Sequence, residues 1–331
     1  MLNPTQFRRD LVRWYARHKR DLPWRRTRDP YRIWVSEIML QQTRAAAVVP
    51  YYERFLERFP DVAALAASEE SELLAAWAGL GYYSRARNLH AAAKRIQDRG
   101  AFPGHYEAIR ELPGIGDYTA AAISSIAFNL PRAVLDGNVL RVISRLTTES
   151  GDVRSSNTRK RMSEVAGKLI GPRNPGEFNQ ALMELGATLC LPKDPKCLLC
   201  PVSDQCGAGQ QGRQSEFPVK QRRERPREVE QRLLIVECHG ELLLWQRPAG
   251  SRRMAGFWEL PEASQLPRAR LGEKAGAFSH TIVNTHYRFQ VFRASIARVP
   301  AGFHWLAPEG LSKLPLSTTV KKALACLSRT G

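Results

Sequence analysis

The chain of 331 residues contains no long apolar run. Its first residues, MLNPTQFRRDLVRW, include no apolar signal core, and no later segment is long and apolar enough to span a bilayer. Internal repeats are also absent from the sequence. The lack of a signal core and of a bilayer-spanning run argues against a secreted or membrane protein, and we expect a cytoplasmic, reducing location and no membrane partner.

Acidic residues are scarce relative to basic ones. The chain has 50 Lys and Arg residues against 32 Asp and Glu residues, which gives a net charge of +18 and a pI of about 10.1. A chain this basic usually binds a polyanion or a membrane surface, although excess arginine can also serve solubility alone. Because arginine is spread over both halves of the chain, we favour a nucleic acid as the partner.

Cysteine is rare, yet four of the six cysteines lie close together, at Cys190, Cys197, Cys200 and Cys206. Thiolates at this spacing can converge on one metal centre. Zinc sites usually pair two Cys-x-x-Cys knuckles across a longer gap, whereas this run has only one. The spacing therefore favours an iron–sulfur cluster over zinc. Two disulfides or unrelated buried cysteines are the alternatives. The other two cysteines, Cys238 and Cys326, are isolated far downstream.

Composition divides the chain into two parts and a linker. Residues 1–206 are mostly helical in pattern, and residues 207–228 are polar, basic and contain two prolines, as linkers often do. Residues 229–331 carry the strand-like runs RLLIVEC, ELLLWQR and YRFQVFRASIA. We expect a mostly α N-terminal domain followed by a smaller C-terminal domain that is α/β or mostly β.

Local signals place several helices in the first part. Asp29-Pro30 is an N-cap followed by a proline in the first turn, and Ser68 is the expected N-cap of a helix over EESELLAAWAGL. The side chains expected on one face of the helix after Pro30 are Ile33, Trp34, Glu37, Ile38 and Gln41. Further helices are expected over 85–99, 117–129, 137–148, 158–170 and 175–189.

The segment LPGIG suits a phosphate-binding hairpin. Gly114 and Gly116 flank one apolar residue and precede a helix that begins near Asp117. Their N–H groups and the positive end of the helix dipole can bind a phosphate of a nucleic-acid backbone. A simple helix–helix turn is the alternative, and the basic charge of the chain favours the phosphate.

Two carboxylates are candidates for acid–base chemistry. Glu37 lies between Trp34 and Ile38 on an apolar face, where lost hydration should raise its pKa and suit it to act as a general acid. A buried glutamate paired with arginine is the commoner arrangement. Asp136 precedes the helix starting at Gly137, so it can be a helix cap, or an ionised group that stabilises a developing cation.

Several motifs together resemble a known family. WVSEIMLQQT, GLGYYSRARNL, LPGIGDYTA, VLDGNVLRVISR, FNQALMELGATLC and the cysteine run occur in the order found in adenine DNA glycosylases of the MutY type. That family belongs to the helix-hairpin-helix superfamily, which also includes endonuclease III. The resemblance covers residues 2–206 densely and resumes at WQRPAGSRRMAGFWELPE and at Phe278-Ser279-His280-Thr281.

The resemblance implies excision of adenine mispaired with 8-oxoguanine, or with guanine, in double-stranded DNA. It implies that Glu37 protonates N7 of the adenine and that Asp136 stabilises the oxocarbenium-like sugar, either as an ion or by transient covalent capture. It also implies a monomeric, nucleoid-associated enzyme whose four cysteines hold a 4Fe-4S cluster. Lys193 and Lys196 then stand at the entry of the cluster loop, where they can meet the DNA backbone.

The family pattern extends to further site residues. Tyr118 and Asn138 match positions that support the catalytic carboxylates, and Arg25 matches a residue near the extruded adenine. Gln42 and Tyr82 match residues that enter the duplex and hold the base pair open. Lyase-active relatives carry a lysine at the position of Tyr118, where it forms a Schiff base. We therefore expect a monofunctional glycosylase.

The C-terminal domain resembles the Nudix-like domain of the same family. The stretch FWELPEASQLPRARLG lacks the acidic helix that holds magnesium for pyrophosphate hydrolysis, so recognition without hydrolysis is expected. Phe278, Ser279 and His280 match a loop that reads 8-oxoguanine; without the family, a polar β-turn with one packed phenylalanine would be the simpler interpretation.

Two positions depart from what the family or a phosphate site would favour. Asp117 is acidic at the start of the hairpin helix, and Gln180 stands where some relatives have a carboxylate. Two other functions are open: an endonuclease III-like glycosylase/lyase for oxidised pyrimidines, and a non-catalytic iron–sulfur DNA-binding sensor. Tyr118 and the C-terminal domain disfavour the first, and Glu37 disfavours the second.

Overall fold

The computed structural model describes residues 2–220, 227–248, 250–251, 254, 256–282, 285–311 and 314–327. The chain divides into two compact units, Met1–Gln221 and Arg222–Gly331, and each is treated by itself. Within the described ranges, no helix has the length and apolar character needed to cross a membrane.

Helices build the first unit. They are α1 (Pro4–His18), α2 (Pro30–Leu40), α3 (Ala45–Arg58), α4 (Val62–Ala67), α5 (Glu70–Ala76), α6 (Ser84–Arg99), α7 (Tyr106–Arg110), α8 (Asp117–Phe128), α9 (Gly137–Thr147), α10 (Ser156–Leu169), α11 (Pro175–Thr188) and α12 (Gly207–Gln210). The five long helices expected after residue 84 are all present, with ends that differ by one or two residues. Helix α11 packs against α1, α8 and α9.

Helix α2 starts as its local sequence predicts. The Asp29 carboxylate accepts hydrogen bonds from the amides of Tyr31 and Arg32 at 2.8 and 3.1 Å, and Pro30 occupies the first turn. Every residue from Ile33 to Met39 is buried, and the helix packs against α3 and α8. The expected single apolar face was therefore too narrow a description, because α2 is enclosed on all sides.

Ser68 does not cap the start of α5, so that expectation was wrong. Its hydroxyl donates to the carbonyl of Leu65 at 2.8 Å, which makes Ser68 the C-cap of α4. Glu69 is the N-cap of α5 and forms no side-chain capping bond. Because only these two residues separate the helices, the serine completes the end of the first helix and cannot also begin the second.

The residues after the cysteine run pack against the helical unit. Phe217 is buried, and its carbonyl accepts from the Arg145 side chain at 3.1 Å. The Val153 amide donates to the carbonyl of Val219 at 3.1 Å. This stretch therefore belongs to the first unit, which extends to residue 221. Most of the remaining linker, residues 221–226, lies outside the described residues.

A six-stranded sheet forms the second unit. Its strands are β1 (Arg227–Cys238), β2 (Glu241–Gln246), β3 (Trp258–Glu259), β4 (Arg270–Ile282), β5 (Thr285–Ser295) and β6 (Phe303–Leu306). The order is β3-β2-β1-β5-β4, with β6 beside β2, and only the β1–β5 pair is parallel among the described strands. Helices α13 (Pro308–Leu311) and α14 (Thr318–Leu327) complete the unit.

Strand β1 is buried on both faces of this sheet. Leu233 and Ile235 join one apolar cluster, while Leu234 and Val236 join another. Such double burial explains why the sequence reads as a continuous apolar run. A helical first unit and an α/β second unit confirm the expected fold class.

Candidate active site

A cavity of about 530 Å³ lies in the helical unit. Pockets that take small molecules usually measure about 300–1,000 Å³. The residues around it come from the segment before α2, from α2 and the turn after it, and from α3, α8, α9 and α11. The expected site residues that line the cavity are Arg25, Glu37, Tyr118, Asp136 and Asn138. The fold thus assembles residues that are far apart in sequence.

Glu37 is a buried carboxyl group at the wall of this cavity. It is 4% exposed, and its Oε2 accepts a hydrogen bond from the Tyr118 hydroxyl at 2.7 Å. Burial raises the pKa of Glu37 to about 7; the Tyr118 hydrogen bond opposes this rise, and the charge of Asp136 adds to it. Burial also holds the pKa of Tyr118 well above its usual range, so the tyrosine stays a neutral donor. Glu37 therefore changes protonation near neutral pH, as a general acid must.

Asp136 is both a helix cap and a residue of the cavity wall. It caps α9: Oδ1 accepts from the Val139 amide at 2.7 Å, and Oδ2 accepts from the Asn138 side-chain amide at 3.0 Å. Burial raises its pKa, and these donors oppose the rise. Asp136 also lines the cavity, so the carboxylate that caps α9 faces the same space as Glu37.

Glu184 is a site residue that the sequence interpretation missed. Its fully buried carboxylate accepts from Arg25 at 2.6 Å and from Arg20 at 2.7 Å. Burial acts to raise its pKa, but the hydrogen bonds and charges of the two arginines outweigh burial and lower it to about 2. The ion pair fixes the guanidinium of Arg25 at the cavity wall. The available signal was an acidic residue inside an apolar helix.

Gln180 also lines the cavity, although it was left out of the expected catalytic set. The Tyr15 hydroxyl donates to its Oε1 at 2.8 Å. Burial raises the pKa of Tyr15 to about 12, so this donor stays protonated at neutral pH. The bond holds one end of the Gln180 amide in place in the cavity that Glu37 and Asp136 also line.

Gln42 and Tyr82 occupy two exposed turns. Gln42 follows α2 and Tyr82 precedes α6, and both have left-handed backbones, with φ of 59° and 49°. The Tyr82 side chain is 60% exposed. Neither is among the described residues that line the cavity. Exposed side chains on tight turns are available to a macromolecular partner.

Two glycines shape the hairpin between α7 and α8. Gly114 has φ of +75°, and a Cβ there would lie 2.6 Å from Cβ of Asn88, so this position requires glycine. Gly116 caps α8 with open space around it, and no side chain caps the first amides. The carboxylate of Asp117 pairs with Arg110 and accepts from the Tyr106 hydroxyl at 3.3 Å. Its charge is thereby compensated.

The four cysteine thiols form a mutually close group after α11. Burial raises the pKa of Cys200 to about 12, and the charges of Cys190, Cys206 and Cys197 contribute to the rise. Within the described ranges, no three metal-binding side chains converge on a single ion. A 4Fe-4S cluster does not need such convergence, because each thiolate binds its own iron. Four thiols in one group are the donor set that a 4Fe-4S cluster uses.

A chain of hydrogen bonds connects the cysteine group with the cavity. Arg141 donates through Nε to the carbonyl of Cys190 at 2.7 Å and through Nη2 to Oδ1 of Asn138 at 2.9 Å. Asn138 in turn donates to Asp136. Arg145 places Nη1 3.3 Å from Sγ of Cys190. Folding of the cysteine loop therefore bears directly on the position of Asp136.

The segment with Phe278, Ser279 and His280 is a strand, so the expectation of a loop was wrong. These residues belong to β4 and pair with Phe289, Arg288 and Tyr287 of β5. The alternation of the strand half-buries the Phe278 ring, which stacks on Phe289 with centroids 5.0 Å apart, and leaves Ser279 exposed. Pairing with β5 fixes this conformation, which the short sequence motif does not reveal.

Comparison with known proteins connects this site with DNA repair. Residues 35–168 match the family described as HhH-GPD superfamily base excision DNA repair protein. An adenine DNA glycosylase from Homo sapiens is 34% identical over 400 aligned residues, which cover 96% of this chain and 73% of the relative. One from Arabidopsis thaliana is 38% identical, covering 87% and 52% of the two chains.

The chain belongs to the family of adenine DNA glycosylases. A solved thermostable thymine-DNA glycosylase is also similar, with 31% identity, a TM-score of 0.58 and coverage of 63% of this chain and 97% of that chain. The expected family, enzyme class and action on DNA are confirmed. The roles of individual site residues stay predictions.

Proposed function

We propose that this glycosylase removes adenine paired with 8-oxoguanine or guanine from double-stranded DNA. The observation that carries the mechanism is that two carboxyl groups share one cavity. Glu37 changes protonation near neutral pH, and Asp136 caps α9. Cleavage of an N-glycosidic bond needs a proton for the departing base and a negative charge beside the sugar, much as paired carboxylates serve glycosidases.

In the proposed mechanism, Glu37 donates its proton to N7 of adenine as the bond to C1′ breaks. The Tyr118 hydroxyl, already 2.7 Å from Oε2, then stabilises the carboxylate that forms. Asp136 stabilises the developing oxocarbenium ion, while Asn138 and the Val139 amide hold it in orientation. Water then adds to C1′ and releases a proton to the Glu37 carboxylate, which restores the acid and completes the hydrolysis.

The adenine must leave the helical stack before this chemistry, at a cost of a few kcal/mol. Gln42 and Tyr82 enter the duplex and offset part of that cost. Arg25, held by Glu184, contacts the extruded base. The uncapped amides behind Gly114 and Gly116 bind a backbone phosphate. Exposed Lys193 and Lys196 add backbone contacts from the cysteine loop.

Strand cleavage by a Schiff base is disfavoured. No lysine is found among the described residues around the cavity, and Tyr118 occupies the position where lyases have one. A phenol oxygen cannot form an imine, so the Tyr118 hydroxyl cannot replace an amine in that reaction. This favours a monofunctional glycosylase over an endonuclease III-like lyase. The buried carboxyl group of Glu37 disfavours a non-catalytic DNA sensor, since DNA binding alone does not require an acid with a raised pKa.

The second unit is proposed to read 8-oxoguanine, as a Nudix-like domain that has lost hydrolysis. Ser279 is exposed and can hydrogen-bond a base edge, with His280 next to it on β4. The Phe278 ring lies on the other face of the strand, where it stacks on Phe289 and lies 5.8 Å from Nζ of Lys322.

The four cysteines are proposed to hold a 4Fe-4S cluster in a monomeric enzyme. When bound, the cluster fixes the 190–206 loop in one conformation. Iron analysis together with visible absorption of the purified protein tests this assignment, and stoichiometric zinc without iron would contradict it.

The substrate is tested with duplexes carrying adenine opposite 8-oxoguanine, adenine opposite guanine, or thymine glycol. Alkali treatment should reveal excision in the first two only. Borohydride should trap no stoichiometric covalent complex, since no lyase step is expected. Cleavage of the thymine glycol duplex, or efficient trapping, would instead support the endonuclease III-like function.

A further inference from the structure

Arg85 connects the two turns that carry Gln42 and Tyr82. Its Nη1 donates to the carbonyls of Ile38, Met39 and Gln41 at 2.8, 3.2 and 2.7 Å. Its Nη2 donates to the carbonyls of Leu80 and Gly81 at 3.0 and 3.2 Å. One guanidinium therefore binds the end of α2 on one side and the turn before α6 on the other.

This cation is buried without a carboxylate partner. Arg85 is 9% exposed, and no acidic side chain of the described chain forms an ion pair with it. Burying an unpaired charge is costly, so such an arrangement persists only when dense hydrogen bonding compensates it. The five carbonyls include helix-end groups of α2 that have no partner within the helix. The two turns are thus held to one rigid group.

The side chains around Arg85 reinforce this link. The guanidinium lies 5.5 Å from the ring centroid of Tyr82 and the same distance from that of the fully buried Trp77. Trp77 also donates through Nε1 to the carbonyl of Gly81 at 3.1 Å. A displacement of Tyr82 therefore acts on Arg85 and, through it, on the carbonyl of Gln41 beside Gln42.

We propose that Arg85 is a positioning residue that makes Gln42 and Tyr82 enter the duplex as one unit. The inference rests on the proposed insertion of these two side chains. Arg85 itself is beneath them and acts through their backbones. Because it also binds the carbonyl of Ile38, next to Glu37, insertion at the two turns is mechanically connected with the end of the helix that carries the acid.

A double-mutant cycle tests the coupling. Gln42→Ala, Tyr82→Ala and the double variant are compared for single-turnover adenine excision and for fluorescence of 2-aminopurine placed opposite 8-oxoguanine. Coupled residues usually deviate from additivity by about 0.5–3 kcal/mol. We expect the double variant to be at least about 5-fold faster than the product of the single effects predicts.

The same cycle is repeated with Arg85→Lys, which keeps the charge and removes the two-sided fork. There the two effects should become independent, with a coupling factor of about 1. Arg8→Lys is the matched control, because Arg8 donates to the carbonyl of Leu169 within the helical unit and should leave the coupling intact. Coupling that survives Arg85→Lys, or that is absent in the unmodified enzyme, overturns the inference.

A second measurement leaves Arg85 in place, in case Arg85→Lys does not fold. Hydrogen exchange of the DNA complex should change at residues 80–83 after Gln42→Ala and at residues 38–43 after Tyr82→Ala. Changes confined to the substituted segment contradict the coupling. If the enzyme leaves adenine opposite 8-oxoguanine intact, the proposed substrate itself fails. If neither single variant affects excision or fluorescence, the insertion role and the coupling both fail.

Discussion

Replacement of Glu37 by glutamine should slow excision strongly and yet stabilise the folded enzyme at alkaline pH. The rise of the Glu37 pKa from 4.5 to about 7 means that the folded protein resists ionisation of this group. At about 1.4 kcal/mol per pKa unit, the rise corresponds to about 3 kcal/mol. This term favours folding below pH 4.5 and is lost as pH increases through about 7.

Glutamine cannot ionise, so the variant avoids that loss. Its carbonyl can still accept from Tyr118. We expect the variant and the unmodified enzyme to have similar melting temperatures at pH 5, and the variant to gain about 6–12 °C at pH 8.5, using about 2–4 °C per kcal/mol for a unit of this size. Excision should fall by about 10²- to 10⁴-fold, the usual contribution of a general acid.

Thermal unfolding at the two pH values measures the first effect, and single-turnover excision measures the second. Glu53→Gln is the control, because Glu53 is exposed on α3 and should show neither effect. A melting difference that is the same at both pH values would refute the argument that Glu37 is a buried acid. Retained excision would refute its catalytic role.

Three further predictions follow from contacts in the two units. Tyr118→Phe removes a hydrogen bond that lowers the pKa of Glu37, so the alkaline limb of the excision profile should move up by about 1–2 pH units; a limb that stays in place would contradict this. Glu184→Gln should lower the free energy of unfolding by about 3–5 kcal/mol at pH 7 in denaturant titrations, since two arginines lose their charged partner. Because the native pKa of Glu184 is about 2, that loss should persist to pH 4.5 and shrink only as pH falls further towards 2. Joint replacement of Ser279 and His280 by alanine should reduce the preference for 8-oxoguanine over guanine in parallel excision assays, and unchanged discrimination would oppose their assignment.

Features set by neighbouring residues could be predicted from sequence, whereas features set by distant partners could not. The Asp29 cap of α2 depends on amides two and three residues away, so the sequence contains all of it. Glu184 depends on Arg20 and Arg25, which approach it only when α11 packs beside the start of the chain. Similarly, β4 is a strand because β5 pairs with it, and the short Phe278 motif alone resembles a loop.

The protonation state of each carboxyl group in the cavity follows from the hydrogen-bond donors and cations beside it. Glu184 has two arginines and stays ionised at neutral pH despite complete burial. Asp136 accepts hydrogen bonds from a backbone amide and a side-chain amide, which favour its ionised form and oppose the rise in pKa that burial causes. Among the described residues, Glu37 accepts a hydrogen bond from the neutral hydroxyl of Tyr118 alone, and this bond together with the charge of Arg25 is too weak to offset burial. The proposed roles, protonating a leaving base and stabilising a cation, need opposite states of the same chemical group, and this unequal supply of donors supports assigning the first role to Glu37 and the second to Asp136. A further cation beside Glu37 should therefore lower its pKa, so that the group is ionised at neutral pH and no longer acts as an acid.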